Sequence, residues 1–277
     1  MKLDYIIKIG GSILYDLKKA KKLLDVLETC LEGKFAITVG SGMLGELYKD
    51  YIKNLEPNLI SFEDSVRNFS NIQSINASVL SSLNQNYCVC ENTADVYHTL
   101  NCGKLPILDS RGFIKVFGND LYQKGDVRAA NLCNYFNCKN LIIITNVSGV
   151  YDKDPNKSHD SHLLKKITTS ELKKMGRTSV DPGLADRIEE YNLNCFVLGV
   201  DNLIKIENIN MLESGTKIER GDRRAKRTQV VQIANYFNVD EKELLTLWVA
   251  DKVLDAVEDE EELKWDAIKV AQSSISM

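Results

Sequence analysis

Two short segments combine glycines with charged or polar side chains in a way that suits phosphate binding. The segments Lys8-Ile9-Gly10-Gly11-Ser12 and Gly40-Ser41-Gly42 each follow a predicted strand and precede a predicted helix. Glycine lets the backbone approach a phosphate closely, its amides can donate to the oxygens, and the lysine adds a positive charge. The spacing is neither that of a Walker A loop nor that of the Rossmann fingerprint. Each segment alone is also compatible with an ordinary tight turn.

A third segment joins an acidic helix start to a polar loop after a buried strand. It begins with Gly125-Asp126-Val127-Arg128-Ala129-Ala130 and continues through a strand at 141–145 into Asn146-Val147-Ser148-Gly149-Val150-Tyr151-Asp152-Lys153-Asp154-Pro155. A polar loop in this position suits the binding of a nucleotide. In an open parallel sheet, ligands bind outside the carboxyl ends of the strands. The two glycine segments and this loop could therefore face one cleft.

Alternating strands and helices must position these segments. Near-continuous apolar runs predict strands at 5–10, 35–40, 105–108, 141–145 and 194–198, buried on both faces. Apolar residues at helical spacing predict covering helices at 17–31, 129–136 and 184–191. This alternation indicates parallel strands joined by crossover helices, and hence an α/β fold.

The character of the chain changes after Gly221. From Arg223 onward there is no Gly or Pro, and apolar residues recur at helical intervals. Asp240 is placed to cap a second helix whose third position is Glu243. We therefore predict an α/β domain over residues 1–218 and an all-helical appendage over residues 219–277.

Composition excludes several classes of protein. No run approaches 18 apolar residues, so no membrane span is expected, and the N-terminus lacks the features of a signal peptide. We expect a cytoplasmic protein. The seven cysteines indicate reduced thiols, and neither the Cys88/Cys90 pair nor the His159/His162 pair favours a metal site over ordinary side chains. A net charge of -4 gives no overall attraction to nucleic acid.

Taken together, the three segments and a closing Gly215-Thr216-Lys217-Ile218 resemble the amino-acid kinase superfamily over residues 4–218. This superfamily includes acetylglutamate, glutamate, aspartate, uridylate and isopentenyl phosphate kinases. The resemblance implies a three-layer α/β/α sandwich around a largely parallel sheet, with ATP and Mg²⁺ beside an anionic small-molecule acceptor. It also implies a homo-oligomer. Phosphoryl transfer requires charge neutralisation and in-line positioning more than a covalent nucleophile, which agrees with the residues present.

The resemblance further implies roles for individual residues. Lys8 would stabilise charge on the transferred phosphoryl group, and Asp126 would orient that group or its lysine partners. Arg187, where acetylglutamate-kinase-like relatives have a second lysine, would bind the γ-phosphate; a surface pair with Glu189 or Glu190 is the alternative. Nucleotide binding would involve Gly10, Gly11, Ser12, Thr145, Asn146, Gly149, Tyr151 and Asp154. Acceptor binding would involve Gly40, Ser41, Gly42, Lys124 and Arg128.

The acceptor is less well defined by the sequence. Uridylate kinases carry Gly-Asn-Pro, two aromatic residues and Thr-Thr-Asp before the helix that Asp126 opens, whereas this chain has Gly118-Asn119-Asp120-Leu121-Tyr122-Gln123-Lys124-Gly125-Asp126. The stretch Thr178-Ser179-Val180-Asp181 resembles archaeal members that act on small phosphate monoesters. A phosphate monoester, with uridylate as the first to test, is the predicted acceptor. The alternative is a nucleotide- or oxyanion-binding protein without turnover.

The appendage resembles a different family, the carboxyl half of a lambda-repressor-like helix-turn-helix regulator. The matching stretches are residues 217–227 and 239–252. Half of such a module should not read a DNA sequence, because one helix must enter the major groove while another crosses the backbone. Packing on the kinase domain or oligomerisation is the favoured role, and a kinase–regulator fusion that binds DNA is the alternative.

Overall fold

The computed structural model describes residues 2–53, 59–117, 125–158, 160–176, 178–205, 211–220 and 227–256, with a few positions after 262. The chain divides into two compact units, residues 1–221 and 222–277. The domain boundary predicted from the sequence lies three residues earlier, after residue 218. Each unit is built from a different set of elements.

Within the described residues, the larger unit is built on one eight-stranded sheet. Its strands are β1 Tyr5–Ile9, β2 Phe35–Val39, β3 Tyr87–Cys90, β4 Leu105–Leu108, β5 Asn140–Thr145, β6 Lys166–Thr168, β7 Asn194–Gly199 and β8 Thr216–Glu219. The order across the sheet is β3-β4-β2-β1-β5-β7-β8-β6. All neighbouring strands are parallel except β7 and β8. The prediction of a largely parallel sheet is confirmed.

Helices cover both faces of this sheet. They are α1 Leu17–Cys30, α2 Gly42–Lys53, α3 Phe62–Ser82, α4 Thr93–Asn101, α5 Gly125–Tyr135, α6 Thr169–Lys174, α7 Leu184–Tyr191 and α8 Val200–Leu203, with 3-10 turns at Gly11–Tyr15, Ile114–Phe117 and Met211–Glu213. Successive strand residues point to opposite faces, so Ile6 joins the core layer under α5 and α7 while Ile7 joins the layer under α1. The result is the predicted three-layer α/β/α sandwich.

The five strands predicted from the sequence are all present, and each lies in the central part of the sheet or next to it. Three further strands, β3, β6 and β8, were not predicted. They are three or four residues long, and β6 and β8 begin with exposed or polar residues rather than an apolar run. A pattern of continuous burial cannot identify strands of this kind.

The smaller unit contains α9 Arg227–Phe237 and α10 Glu241–Ala256, which confirms a helical C-terminal portion. Asn238 breaks the chain between them with φ +54°. The carboxylate of Asp240 accepts a hydrogen bond from the Glu243 backbone N–H at 2.6 Å, as the capping prediction required.

Membrane-spanning helices and metal sites were both examined among the described residues. None of the described helices is long and apolar enough to cross a membrane. Within the same residues, no group of three or more His, Cys, Asp or Glu side chains is arranged to hold a metal ion. Cys88 and Cys90 belong to β3, and His162 lies against Asp152. His159 lies outside the described residues.

Candidate active site

The candidate site lies where the strand order reverses direction. β1 has β2 on one side and β5 on the other, so the chain leaves β1 first toward one edge of the sheet and later toward the other. Such a switch point opens a crevice at the carboxyl ends of the strands. The turn after β1, the turn after β2 and the loop after β5 all reach that crevice, which brings the three segments singled out in the sequence together.

The two glycine turns pack backbone against backbone. A Cβ atom on Gly11 would lie 2.1 Å from the Gly42 nitrogen, and one on Gly40 would lie 2.7 Å from the Gly11 nitrogen. Gly42 also has φ +54°, a left-handed conformation that costs glycine little. Any side chain at Gly11 or Gly42 would push the two turns apart. The glycines are therefore required by the close approach itself, and this approach brings the amides of both turns to one place.

Lys8 and Asp126 meet beside these turns. Lys8 projects from β1, Asp126 stands in the first turn of α5, and the Nζ–Oδ1 distance is 2.8 Å. The aspartate side chain is 3% exposed and the lysine side chain 16%, so the lysine retains access to solvent or ligand. The contact with Asp126 holds the Lys8 ammonium group in place near the end of β1.

Asp181 completes the setting of Asp126. The backbone N–H of Asp126 donates to Asp181 Oδ2 at 2.9 Å, and the backbone N–H of Asp181 donates to Asp126 Oδ2 at 2.9 Å. This reciprocal pair joins the start of α5 to the segment before α7. It fixes the carboxylate of Asp126, and through it the ammonium group of Lys8.

A cavity of about 620 Å³ opens over these groups; we call it the glycine-turn cavity. Its polar lining comes from Lys8, Gly11, Ser12, Gly40, Ser41, Gly42, Glu46, Lys49, Ser65, Gln73, Gly125, Arg128 and Asp181. Its apolar lining comes from Tyr15, Phe62, Val66 and Phe69. A cation, a set of backbone amides and an apolar wall together suit a ligand that carries an anionic group on a less polar body.

Arg128 contributes a second cation to this cavity. Its side chain is mostly buried, with 8% of the residue exposed, and Nη1 donates to Gln73 Oε1 on α3 at 3.0 Å. Burial lowers the pKa of the Arg128 guanidinium from its usual value, although an arginine stays charged at neutral pH. The side chain is thus held at the cavity wall by a neutral amide oxygen on α3.

A second cavity, of about 490 Å³, lies at the loop after β5; we call it the loop cavity. Its lining comes from Thr145, Asn146, Val147, Tyr151, Asp152, Lys153, Asp154, Pro155, Asn156, Lys157, Met175, Thr178 and Ser179. Most of these residues belong to one continuous segment. Thr145 adjoins the first glycine turn, because a Cβ atom on Gly10 would lie 3.8 Å from Thr145 Cα. Thr145, which lines the loop cavity, therefore lies beside Gly10, the neighbour in sequence of Gly11 in the glycine-turn cavity.

Thr216 anchors the loop from below. Its hydroxyl accepts from the Val150 backbone N–H at 2.8 Å and donates to the Leu164 carbonyl at 2.5 Å, and the residue is fully buried. Gly149 packs against it, since a Cβ atom there would lie 2.5 Å from Thr216 Oγ1. The closing Gly-Thr-Lys-Ile motif thus holds the loop, and Gly149 acts in the shape of the loop rather than in the lining of the cavity.

Among the described residues named from the sequence, Arg187 stands apart from both cavities, and Gly10, Asp126 and Gly149 support the cavities without lining them. Arg187 lines neither of them; Nη1 donates to Glu190 Oε2 on the same helix, and the guanidinium lies 5.8 Å from the centre of the Tyr191 ring. Its predicted phosphate contact stays a prediction. Lys124 belongs to residues 118–124, which lie outside the described residues, as does most of the stretch that departs from the uridylate-kinase pattern.

Sequence reasoning did not assign roles to three residues that shape the site. Asp181 fixes Asp126, Gln73 holds Arg128, and Asn76 holds the second glycine turn. The only signal for the two α3 residues is that polar side chains occupy a helix face that is otherwise buried. A buried polar residue without an obvious partner in sequence is expected to have one in the fold.

Comparison with known proteins gives one consistent result. The sequence profile of the Amino acid kinase family matches residues 5–199. A uridylate kinase from Methanococcus aeolicus is 28% identical over 237 residues, which span 78% of this chain and 99% of that protein. A uridylate kinase from Methanobrevibacter smithii is also 28% identical, over 233 residues.

Solved structures agree at the level of the fold. The uridylate kinase from Archaeoglobus fulgidus superposes with a TM-score of 0.61 at 19% identity, over 79% of this chain and 100% of the other. The aspartate kinase from Synechocystis gives a TM-score of 0.61 at 16% identity, over 80% of this chain and 40% of the other. In both cases the matched share of this chain is close to the size of its larger unit.

Proposed function

Because the chain belongs to the amino acid kinase family, we propose that it is an ATP-dependent kinase whose acceptor is a phosphate monoester. The observation that carries this proposal is that both glycine turns and Lys8, which is paired with Asp126, line one cavity, and that Thr145 of the polar loop cavity lies beside the first of these turns. Uridylate is the first acceptor to test, since the relatives quoted above are uridylate kinases.

The proposed reaction assigns each cavity one task. Adenosine lies in the loop cavity, against Tyr151 and Asp154, and the phosphates extend past Thr145 and Asn146 toward Gly10, Gly11 and Ser12. Lys8 then faces the transferred phosphoryl group, where its charge offsets the negative charge that spreads over the equatorial oxygens in the transition state. Asp126 is the positioning group for Lys8. No covalent intermediate on the protein is needed.

Mg²⁺ belongs to the proposal as the partner of ATP. When bound, it would offset negative charge on the phosphates of ATP. The carboxylates that line the two cavities are those of Glu46, Asp181, Asp152 and Asp154, and carboxylate oxygens fit the preference of Mg²⁺ for oxygen ligands. Few protein ligands are required, since Mg²⁺ usually keeps several waters and binds through substrate phosphates.

The acceptor would occupy the glycine-turn cavity. Ser41 and Gly42 would donate backbone amides to phosphate oxygens of the acceptor and of the group transferred to it, while Gly40, whose N–H donates to the Ile9 carbonyl, would shape the turn. Arg128 would add a second cation. Lys124 remains part of this proposal as a further cation from the residues before α5. The apolar wall of Phe62, Val66 and Phe69 would contact the organic part of the acceptor. Arg187 as a γ-phosphate ligand is a separate prediction, tested below.

A coupled assay of ADP release tests the proposal. ATP, Mg²⁺ and a panel of nucleoside monophosphates, small phosphomonoesters and acidic amino acids are supplied in turn. We expect acceptor-dependent ADP release with at least one phosphate monoester. Tight ATP binding without release for any acceptor would instead support the alternative, a nucleotide- or oxyanion-binding protein of the same fold.

The proposal extends to the whole chain in three ways. We propose a homo-oligomer, a cytoplasmic location, and a role for the C-terminal helices in packing or oligomerisation rather than in DNA recognition. The C-terminal helices resemble half of a helix-turn-helix regulator in sequence, and a regulator-like role for them stays a prediction. Binding to duplex DNA that weakens with salt and disappears when residues 220–277 are removed would support the regulator instead.

A further inference from the structure

One side chain of α3 holds the second glycine turn from outside the glycine-turn cavity. The Nδ2 group of Asn76 donates to the carbonyl oxygen of Gly40 at 2.8 Å and to that of Ser41 at 2.9 Å. Asn76 is buried, with 6% exposed, and is not part of the cavity lining, whereas Gly40, Ser41 and Gly42 are. The side-chain amide of Asn76 thus donates to two consecutive carbonyl groups of the turn.

Because the peptide bond is planar, the hydrogen bonds from Asn76 to the two carbonyl groups also fix the directions of the Ser41 and Gly42 N–H groups. In a trans peptide the N–H and C=O groups point in opposite directions. The Gly40 carbonyl belongs to the same peptide as the Ser41 N–H, and the Ser41 carbonyl to the same peptide as the Gly42 N–H. Because Asn76 holds both carbonyls, both N–H groups must point away from Asn76.

Nothing else in the described residues uses these two amides. No hydrogen bond from the Ser41 or Gly42 N–H to another described group is present, whereas the neighbouring Gly40 N–H donates to Ile9 at 2.9 Å. The Gly42 nitrogen lies next to Gly11, where the two turns meet at the cavity. The turn therefore presents two oriented donors on its cavity side.

Building on the proposed kinase function, we propose that Asn76 is a positioning residue for phosphoryl transfer. It does not touch the substrate. It fixes the peptide planes of the second glycine turn so that the Ser41 and Gly42 amides donate to phosphoryl oxygens. Without it, the carbonyl groups can rotate toward the cavity and present negative dipoles where the anion must sit. Preoriented donors of this kind stabilise charge that develops in the transition state.

Two substitutions test the role. Asn76→Ala removes both donors, and Asn76→Asp keeps the size of the side chain but replaces donors with a carboxylate that repels both carbonyls. We expect each to lower kcat about 10²-fold in the ADP-release assay with uridylate, with the KM for ATP changed less than about threefold. Isothermal titration with inorganic phosphate should show a parallel loss of affinity.

The aspartate variant adds a readout that a purely structural role would not give. A protonated carboxyl group can donate one hydrogen bond, whereas the ionised group can donate none. The kcat of Asn76→Asp relative to that of the unaltered protein should therefore rise as the pH is lowered from 8 toward 5.5. The same ratio for Asn76→Ala should stay constant.

Ser81→Ala is the matched control on the same helix. The Ser81 hydroxyl donates to the Tyr87 carbonyl at 2.8 Å, far along α3 from the glycine turn. It should lower the thermal midpoint without changing kcat or phosphate affinity. If the Asn76 variants resemble this control, with unchanged kcat and phosphate affinity, the positioning role is overturned.

The two proposals fail in different ways. Absence of ADP release by the unaltered protein with every acceptor overturns the kinase function. The phosphate titration then tests the role of Asn76 by itself. Weaker phosphate binding in both Asn76 variants supports the orientation of the Ser41 and Gly42 amides by Asn76. Equal phosphate binding in all the proteins overturns that role.

Discussion

The glycine-turn cavity and the loop cavity are neighbours, but they are built in different ways. The first draws its lining from β1, two turns, α2, α3, α5 and the segment before α7, and buried contacts fix its key side chains. The second is lined mainly by residues 145–157, with partly exposed side chains held by local contacts such as that of Asn156 with Asp154. Transfer of a phosphoryl group demands fixed charges, whereas binding of a nucleotide base tolerates a local loop.

The largest effect should come from the fixed charge of the glycine-turn cavity. Lys8→Met keeps the length of the side chain but removes its charge, and we expect kcat to fall about 10²- to 10³-fold because the transition state loses its cation. The coupled ADP-release assay measures this.

The variant also leaves Asp126 buried without a counter-charge, which destabilises the fold. The double variant Lys8→Met with Asp126→Asn removes both charges, so it should regain stability without regaining turnover. Recovery of turnover in the double variant would show that Lys8 acts only through the fold.

The second effect concerns the support of α3. Burial alone would raise the pKa of Asp109. Hydrogen bonds from Arg111 and from Ser74 of α3 outweigh this effect and hold the pKa of Asp109 below the usual value for an aspartate. Because the pKa of Asp109 is lower in the folded state than its value near 4 in the unfolded state, the ionised carboxylate stabilises the fold at pH values above about 4. This stabilisation is lost as the pH falls through the pKa of the folded state. Asp109→Asn should cost about 1–3 kcal/mol of unfolding free energy at pH 7, and the difference should shrink below about pH 4.

Urea unfolding across this pH range measures the effect. Asp64→Asn is the control, because its pair with Arg67 is exposed and should contribute less than about 1 kcal/mol. A difference for Asp109→Asn that does not change with pH would refute the linkage.

The third effect belongs to the loop cavity. Tyr151→Ala should raise the KM for ATP about tenfold by removing an aromatic surface for the base, with kcat nearly unchanged. Tyr236→Ala, at a residue 84% exposed in the smaller unit, serves as the control. If Tyr151→Ala lowers kcat and leaves the KM for ATP unchanged, the division of labour between the cavities is wrong.

The smallest effect should come from Arg187. Its guanidinium contacts Glu190 and Tyr191 on its own helix, so Arg187→Ala should change kcat less than about twofold and stability by less than about 1 kcal/mol. Glu190→Gln is the matched variant and should behave alike. A fall in kcat of about 10²-fold for Arg187→Ala alone would restore its predicted phosphate contact.

The same contrast explains how much could be predicted. Residues 145–155 form one continuous motif after a long apolar strand, so a pattern in sequence was enough to find most of the loop cavity. Lys8 and the glycines were found for the same reason. Asp181 and Asn76 could not be assigned roles because the side chain of each contacts a backbone group that lies far away in sequence. Likewise, β3, β6 and β8 depend on neighbours in the sheet and carry little signal of their own.

The order of strands also has a consequence for biosynthesis. β8 is the last strand in sequence among the described residues, yet it lies between β7 and β6, and its Thr216 holds the loop that begins after β5. A chain that leaves the ribosome from its amino end forms the glycine turns early. The β6 edge and the anchor of the loop must wait until residue 216 has emerged. The glycine turns that would bind the phosphates can therefore form before the loop cavity that would bind the nucleotide is complete.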